Sequence, residues 1–219
     1  MNALPKGIIF DMDGVLVDSE PFITKALIQM FAEQGLKIAP QEFHPFTGVG
    51  ETRFISSIAK NYNLPIDINR CKRRTYDIYL DIIKGMLNPL PGAAQFVDRC
   101  RRLGKKTAIA SSADMRKIEG NFAELKIPPQ SFDAVICGSD VKHTKPAPDI
   151  FLLAAEKLGL DAKDCLVIED ALNGIKAAKA AGCRCLAITS SFTVAQLAGA
   201  DFYAPDLVHV PPEATNWQI

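Results

Sequence analysis

The chain has 219 residues, 48% of them hydrophobic, and its 25 lysines and arginines are balanced by 25 aspartates and glutamates. This length and composition suffice for one large domain, or for a core with a smaller companion. The zero net charge excludes the strongly basic balance expected of a nucleic-acid-binding protein, but it permits a local basic pocket for a small phosphorylated substrate.

The first predicted element is a short apolar run, GIIF at residues 7–10, which is typical of a strand buried on both faces. The run ends at Asp11 and Asp13, two carboxylates separated by Met12. Like charges this close repel each other. Their placement therefore indicates either a cation between them or a reaction that they share.

A long helical region follows this strand. It contains the helical patterns SEPFITKALIQMFAEQG, ETRFISSIAKNY and INRCKRRTYDIYLDIIKGM, and no convincing strand. We predict a helical subdomain at residues 19–86, inserted into a core of residues 1–18 and 87–219, with hinges in GVLVDS and MLNPLPG. At least one of Asp18 and Ser19 is explained as the N-cap of the first helix.

The rest of the chain alternates short apolar runs with helical patterns. Strands are predicted at residues 106–111, 134–137, 165–169 and 185–188, and helices at 91–104, 148–159 and 173–182. This alternation is typical of right-handed βαβ units around a parallel sheet. The predicted fold class is therefore α/β, a Rossmann-like parallel sheet core with an inserted α-helical subdomain. The tail at residues 210–219 is expected to be loosely ordered.

Polar side chains follow four of the predicted strands, at the points where the strands end. They are Asp11 and Asp13, Ser111 and Ser112, Lys145, and the pair Glu169 and Asp170. In open α/β sheets, ligands bind outside the carboxyl ends of the strands. We therefore expect these groups to surround one crevice.

This set of groups predicts phosphoryl-transfer chemistry. Several carboxylates at one site require a hard cation, and Mg²⁺ accepts both carboxylate and phosphate oxygens. A carboxylate that faces phosphorus can attack it to give an aspartyl-phosphate, while the cation and a lysine offset the repulsion between the two anions. A second carboxylate could protonate the leaving oxygen and then activate water.

Four segments carry a resemblance to a known family. DMDGVLVDS, ASS, KPAPDIF and VIEDALNG resemble, in order and in spacing, the four motifs of haloacid dehalogenase-type phosphohydrolases. The helical region between the first two motifs resembles the small α-helical cap of that family. The whole pattern is most similar to the branch of beta-phosphoglucomutases and sugar-phosphate phosphatases.

The resemblance implies roles in handling the phosphoryl group. Asp11 would be the nucleophile, and Asp13 would be the general acid and base. Ser111 would bind the transferring group, with Ser112 as a further substrate-binding residue. Lys145 would neutralise the phosphoryl group and orient the nucleophile.

The resemblance also implies a Mg²⁺ site. Asp11 and Asp170 would bind the metal directly, Glu169 directly or through water, and Asp13 through its backbone carbonyl. A simpler interpretation of Glu169 and Asp170 is that they cap the following helix. A calcium loop is disfavoured because residues 15–17 are Val-Leu-Val and supply no side-chain oxygens.

Substrate choice is expected to depend on the inserted helices. The glycines of FTGVGETRF would bring backbone N–H groups close to a ligand, and the basic side chains of TRF and CKRRTY could meet an anion. The candidate substrate-binding residues are Gly48, Val49, Gly50, Arg53, Lys72 and Arg73. A solvated basic helix face explains any single one of the cations equally well, because consecutive helical residues cannot all face one ligand.

Two activities fit the pattern. The preferred one is a Mg²⁺-dependent phosphatase of a small phosphorylated metabolite, by resemblance a sugar phosphate, and the alternative is a phosphohexomutase of the beta-phosphoglucomutase type. In the mutase branch a His lies five residues beyond the position of Asp18, and here that position is Ile23, which favours hydrolysis. A true dehalogenase would not need Asp13 as an acid, and a phospho-accepting receiver-like module would lack the cap.

The remaining features predict the setting of the protein. None of the six cysteines forms a Cys-x-x-Cys pair, so we expect small buried hydrophobic residues rather than metal ligands or disulfides. The sequence has no secretory signal pattern and no apolar stretch near the ~20 residues of a membrane span. We expect a cytoplasmic monomer or weak dimer that acts on a small phosphorylated metabolite and binds neither nucleic acid nor membrane.

Overall fold

The computed structural model describes residues 4–42 and 50–215. Its strands are β1 (Gly7–Phe10), β2 (Lys106–Ala110), β3 (Ala134–Ile136), β4 (Cys165–Glu169), β5 (Arg184–Ile188) and β6 (Phe202–Ala204). They form a six-stranded sheet in the order β3-β2-β1-β4-β5-β6, and every neighbouring pair is parallel. The first strand of the chain therefore lies inside the sheet, between β2 and β4.

Alternating side chains of the strands supply the two sides of the core. Ile8 and Phe10 belong to one buried cluster and Ile9 belongs to the other, as the two-residue period of a strand requires. All three side chains are 0% exposed. Burial on both faces explains why the strand sequences are continuous apolar runs.

Helices cover both faces of the sheet. They are α1 (Glu20–Glu33), α2 (Glu51–Asn61), α3 (Ile68–Ile82), α4 (Ala93–Arg102), α5 (Met115–Glu124), α6 (Asp149–Leu158), α7 (Leu172–Ala181) and α8 (Pro212–Thr215). The buried residues of α6 and α7 pack in the same cluster as Ile9, whereas those of α4 and α5 pack with Phe10.

Helices α1, α2 and α3 lie between β1 and β2 in sequence, and we call them the helical insertion. Both α1 and α2 pack against α3. The apolar residues of the insertion, such as Ile55, join the buried cluster that contains Phe10. Where the chain leaves and re-enters the sheet region, Val17 bridges to both Asp13 and Pro89, so the two connections run side by side.

The predicted α/β class with a parallel sheet is confirmed, and the five predicted strands are present. The helices predicted to stop at Gly159 and Gly182 do so, with these residues as left-handed C-caps. The division into a core and a cap stays a prediction.

Two predictions need correction or addition. The expectation of a loosely ordered tail is wrong for Pro212–Thr215, which form α8, because Ala214 and Thr215 are buried against the protein. Residues 216–219 lie outside the described part of the chain. The sequence analysis also did not find α5 or β6. Among the described residues, no helix has the length and hydrophobicity needed to cross a membrane.

Candidate active site

Asp11 lies at the carboxyl end of β1, where strand pairing fixes its backbone. Its backbone N–H donates to the carbonyl of Ile168 in β4 at 2.9 Å. Its side chain is only 12% exposed, and Oδ1 accepts a hydrogen bond from Lys145 Nζ at 2.8 Å. Among the described residues, no donor reaches the second oxygen, Oδ2. That buried oxygen is therefore available to a ligand.

Lys145 is a buried cation shared by two carboxylates. Its Nζ donates to Asp11 Oδ1, to Glu169 Oε1 at 2.6 Å and to the carbonyl of Ala110 at 3.1 Å. Burial lowers the pKa of the Lys145 amine, but the charges of Asp11 and Glu169 outweigh burial and raise that pKa above its usual value. The amine therefore stays protonated and offsets part of the negative charge.

Glu169, the last residue of β4, is 0% exposed and is held by the protein itself. Its Oε1 faces Lys145, and its Oε2 accepts the backbone N–H groups of Asp170 and Ala171, both at 2.9 Å. A Cβ atom at Gly174 in α7 would collide with this carboxylate. The glycine thus makes room for Glu169, which in turn orients Lys145 and the start of the following loop.

Asp170 is buried beside Glu169, and the described part of the chain contacts its side chain on one oxygen. Ser191 Oγ donates to its Oδ2 at 2.7 Å, and no donor in the described part of the chain reaches Oδ1. Gly14 lies against the same carboxylate with φ +77°, and a Cβ there would collide with it. Both the backbone conformation and the close approach therefore require glycine at that position.

Asp11, Glu169 and Asp170 form a group that fits a hard divalent cation. One carboxylate oxygen of each lies within 4.8 Å of the others. Burial raises the pKa of Asp11 to about 7 against the charge of Lys145, and the charges of Glu169 and Asp13 add to the increase. Burial and the charges of Glu169 and Asp11 raise the pKa of Asp170 well above its usual value. Buried carboxylate oxygens that have no donor among the described residues, together with an excess of negative charge, suit such a cation.

Asp13 has its own set of partners. Ser19 Oγ donates to its Oδ1, Asn121 Nδ2 lies 3.5 Å from the same oxygen, and Lys117 Nζ donates to Oδ2 at 2.9 Å. The side chain is 26% exposed. Ser19 occupies the N-cap position of α1 but makes no side-chain capping bond, because its hydroxyl is used on Asp13. The N-cap interpretation therefore holds for its position and not for its side chain.

Ser111 follows β2 and is 1% exposed. Its backbone N–H donates to the carbonyl of Ile136 at 3.0 Å, and its Oγ accepts the backbone N–H of Ala113 at 3.2 Å. Within the described residues, the hydroxyl proton has no acceptor. It can therefore be donated to an oxygen of a ligand.

These side chains surround a cavity of about 80 Å³. The strand ends contribute Asp11, Asp13, Ser111, Ser112, Lys145, Glu169 and Asp170. The helical insertion contributes Ile23, Leu27, Glu51 and Phe54, with Gly50 at the N-cap of α2. The residues predicted to be catalytic and metal-binding thus lie around one cavity, under the insertion.

A second cavity of about 360 Å³ adjoins the first and shares Gly50, Glu51 and Ser112 with it. Arg53 and Lys72, two of the predicted substrate-binding residues, line this second cavity. The structure therefore brings these two cations to the neighbourhood of the site, on the side of the insertion.

The predicted substrate-binding residues differ in how free they are to contact a ligand. Lys72 already forms an ion pair within the protein, with its Nζ 2.8 Å from Asp114 Oδ2. Arg73 is exposed and lines neither cavity. Gly48 and Val49 lie outside the described residues.

Sequence reasoning missed Lys117 and Glu51, which line the cavity. Lys117 is 3% exposed, and its Nζ lies 3.2 Å from Glu51 Oε1. One signal was present in MRKIEGNFAE: Lys117 shares a helix face with Ile118 and Phe122, so a charged residue falls on an apolar stripe.

Known proteins resemble this chain in sequence. A family model described as haloacid dehalogenase-like hydrolase matches residues 5–182. Protein SUPPRESSOR OF QUENCHING 1, chloroplastic, of Arabidopsis thaliana is 39% identical over 193 residues, which are 87% of this chain but 18% of that relative's length. Fructose-1-phosphate phosphatase YqaB of Escherichia coli K12 is 33% identical over 178 residues, 80% of this chain and 92% of the relative.

Solved structures resemble the fold. A crystal structure of CbbY from Rhodobacter sphaeroides in complex with phosphate has a TM-score of 0.89 at 24% identity, and covers 98% of this chain and 100% of that one. A mutant of the same protein in complex with xylulose-(1,5)bisphosphate has a TM-score of 0.86 at 26% identity, covering 94% and 95%. The six-stranded parallel sheet and its surrounding helices are thus a known architecture.

Proposed function

The chain belongs to the haloacid dehalogenase-like hydrolases, and from this premise we propose that it is a Mg²⁺-dependent phosphatase of a small sugar phosphate, acting through an aspartyl-phosphate on Asp11. The proposal rests on the hydrogen bonding of the Asp11 carboxylate. Asp11 lines the cavity. Lys145 holds one of the Asp11 oxygens at 2.8 Å, while the other has no donor among the described residues. A buried, oriented carboxylate with a free oxygen is suited to nucleophilic attack.

In the first step, Asp11 Oδ2 attacks the phosphorus of the bound ester. The Ser111 hydroxyl donates a hydrogen bond to a phosphoryl oxygen, and Lys145 offsets the charge that accumulates as two anions approach. Asp13 gives its proton to the leaving oxygen as the ester bond breaks. The product alcohol then leaves, and the phosphoryl group stays on Asp11.

In the second step, water replaces the alcohol. Asp13, now a carboxylate, takes a proton from the water as it attacks phosphorus, so the same side chain serves as acid and then as base. The bond between phosphorus and Asp11 breaks, which restores the free carboxylate and releases inorganic phosphate.

The residues that would hold Mg²⁺ are Asp170, through the oxygen that has no donor among the described residues, and Asp11, through Oδ1, so that Oδ2 stays available for the attack. The backbone carbonyl of Asp13 would be a third ligand. The bound cation would supply charge neutralisation for the phosphoryl group. Both carboxylate oxygens of Glu169 already accept hydrogen bonds, from Lys145 and from two backbone N–H groups. We therefore propose that Glu169 contacts the metal through a bridging water molecule.

The dimensions of the two cavities support a small polar substrate. The first, of about 80 Å³, suits a phosphoryl group, whereas ligand sites commonly measure ~300–1,000 Å³. The adjoining cavity of about 360 Å³ would take the sugar. Two similar proteins are associated with sugar phosphates: one is a fructose-1-phosphate phosphatase, and the other is CbbY, whose mutant was solved in complex with xylulose-(1,5)bisphosphate.

The helical insertion would act as a cap over this site, with residues 19–86 as the cap and 1–18 and 87–219 as the core. Opening of the cap would admit the substrate, and closure would exclude bulk water. Ile23 lines the cavity at the position where the mutase branch has a His. An apolar side chain there cannot shield the phosphoenzyme by hydrogen bonding, which supports hydrolysis over a mutase reaction. We further propose a cytoplasmic monomer or weak dimer.

A phosphate-release screen with Mg²⁺ tests the proposal. The panel contains hexose and pentose phosphates, phosphoglycolate, glycerol phosphates and nucleotides, and beta-glucose 1-phosphate is also checked for conversion to glucose 6-phosphate. We expect phosphate release from one or a few sugar phosphates. The matched control is Asp11→Asn, which keeps the side-chain shape but removes the nucleophile, and which should retain the fold and lose turnover.

Other outcomes would contradict the proposal in distinct ways. Isomerisation of beta-glucose 1-phosphate without phosphate release would make the protein a mutase. A fully active Asp11→Asn variant would exclude the aspartyl-phosphate. A folded wild-type protein that binds Mg²⁺ and acts on no member of the panel would remove sugar-phosphate hydrolysis as its function.

A further inference from the structure

We propose that Lys117 is a positioning residue for proton transfer, holding Asp13 in place and linking that placement to the docking of α2. This inference rests on the proposed function, because it concerns the acid and base of the same reaction. It assigns a task to a buried cation that the two chemical steps above do not use.

Lys117 is buried between two acidic residues from different parts of the chain. Its side chain is 3% exposed, and its Nζ lies 2.9 Å from Asp13 Oδ2 and 3.2 Å from Glu51 Oε1. The amine also lies 5.5 Å from the centre of the Tyr79 ring. A lysine in these surroundings has little freedom, so it fixes the carboxylates that it touches.

The contact with Asp13 determines where that carboxylate points. Ser19 and Asn121 lie on Oδ1, and among the described residues Lys117 is the donor on Oδ2. Asp13 is more exposed than the other acids of the site, at 26%, so it has room to rotate if one oxygen is released. Removal of Lys117 would free Oδ2 and let the carboxyl turn away from the leaving oxygen.

The contact with Glu51 connects this arrangement to the helical insertion. Glu51 is the first residue of α2, and its Oε2 accepts the hydroxyl proton of Tyr76 in α3 at 2.8 Å. Lys117 belongs to α5, outside the insertion. The ammonium group therefore makes both contacts only when α2 lies against α5, which links the amine that holds Asp13 to the docking of the insertion.

The experiment compares two esters that differ in their need for an acid. The first is the sugar phosphate hydrolysed fastest in the screen, whose alkoxide must be protonated as it leaves. The second is p-nitrophenyl phosphate, whose aryloxide leaves without a proton. For Lys117→Met we expect kcat/KM to fall about 100-fold on the sugar phosphate, as for a displaced acid, and less than about threefold on the aryl ester.

The matched control is Arg116→Met on the same helix. Arg116 Nη2 also joins α5 to the insertion, through Asp77 Oδ1 at 2.5 Å, but both side chains are 46% exposed and lie away from the cavity. We expect this variant to leave both kcat/KM values within about twofold of the wild type, since exposed ion pairs contribute little.

A second variant guards against misfolding. Lys117→Met leaves two carboxylates without their cation, which can destabilise the fold, so Lys117→Met with Glu51→Gln removes one of those charges. Circular dichroism establishes that each variant is folded. The double variant should show the same selective loss on the sugar phosphate.

Three results would overturn the proposal. An equal loss on both esters would mean that Lys117 binds the phosphoryl group or merely supports the fold. Unchanged activity on both would mean that Asp13 does not depend on it. If the wild-type protein hydrolyses neither ester, the proposed function itself fails, and the role of Lys117 fails with it.

Discussion

At the scale of single residues, the Asp170 carboxyl shows how one hydroxyl determines which oxygen is left for a ligand. Ser191 Oγ occupies Oδ2 at 2.7 Å, and the backbone at Gly14 closes the space beside the same oxygen. The side chain is therefore left with Oδ1 as the oxygen that can face a cation. Groups that orient metal ligands in this way contribute to metal affinity without touching the metal.

Ser191→Ala should weaken Mg²⁺ binding by about tenfold, because Asp170 would lose the donor that orients it. Loss of a group that orients a metal ligand typically lowers metal affinity about 10- to 100-fold. We expect the smaller effect because Ser191 is exposed and a water molecule can replace its hydroxyl. Isothermal titration calorimetry of the wild type and the variant measures the change. Thr193→Ala is the control, since the Thr193 hydroxyl bonds to Gln196 in the same loop. Equal Mg²⁺ affinity in wild type and Ser191→Ala would contradict the prediction.

The sequence was sufficient to predict that Asp11, Lys145 and Asp170 lie around one cavity, because residues that follow parallel strands meet at one edge of a sheet. It was not sufficient for Lys117 or Glu51. Their positions depend on how α2 packs against α5, and no strand end marks them. Burial of a lysine becomes visible only when the tertiary structure supplies its acidic partners.

At the scale of elements, the Glu169 carboxylate, which lies just before α7 in sequence, determines which residue fits in the first turn of that helix. Gly174 faces the Glu169 carboxylate so closely that a Cβ would collide with it. That carboxylate cannot move aside easily, because Lys145 and two backbone N–H groups hold it. The helix therefore accepts a residue with poor helix propensity at this position.

Gly174→Ala should destabilise the protein by about 1–3 kcal/mol, as overpacking of a core does, although alanine is the better helix former. Displacement of Glu169 should also reduce the proposed phosphatase activity. Urea unfolding followed by circular dichroism gives the change in free energy of unfolding. The control is Lys176→Ala, an exposed position of the same helix, which should change little. A stabilised Gly174→Ala protein would show that the carboxylate can move.

The predicted elements follow from patterns that reflect local forces. The strands β1, β4 and β5 are continuous apolar runs, and α6 and α7 end at glycines as expected. The strand β6 has three residues and pairs with β5. So short a run has little periodicity of its own, and its assignment depends on the neighbouring strand.

At the scale of the whole molecule, the concentration of buried acids makes stability depend on pH and on metal. Burial, with the charges of Glu169 and Asp13 added, raises the pKa of Asp11 from 3.8 to about 7 against the effect of Lys145. A carboxyl with a higher pKa in the folded chain than in the unfolded chain binds its proton more tightly when folded. Its contribution to stability is present below the unfolded pKa and is lost as pH rises through the folded pKa.

The metal-free protein should therefore lose thermal stability between pH 5.5 and pH 8, within the range that the Asp11 pKa of about 7 defines. Asp170 acts in the same direction, since its pKa is also raised. Mg²⁺ competes with protons for these carboxylates, so the increase in Tm on adding Mg²⁺ should be larger at pH 8. Differential scanning fluorimetry in EDTA and in Mg²⁺ measures both effects.

Asp11→Asn provides the control for this pH dependence, because the amide does not titrate in this range. The fall in Tm should be smaller in the variant, and the gain from Mg²⁺ should be reduced at both pH values. A metal-free wild-type protein that is equally stable at pH 5.5 and pH 8 would contradict the assignment of these carboxyls.

The overall architecture was predictable because alternation of strands and helices leaves few arrangements for a parallel sheet. The strand order and the placement of the helical insertion over the sheet were not. They depend on contacts between residues far apart in sequence, such as the bridge from Val17 to Pro89, for which a single sequence has no local pattern.

The inner position of β1 has a consequence for how the polypeptide is made on the ribosome. Its neighbours in the sheet are β2, at Lys106–Ala110, and β4, at Cys165–Glu169. N-terminal segments emerge first, so one edge of β1 stays unpaired until residue 110 has been synthesised and the other edge until residue 169. The insertion, whose helical contacts are local, can form in that interval. The residues of the candidate site therefore come together late in synthesis, and we expect incomplete chains to have no activity.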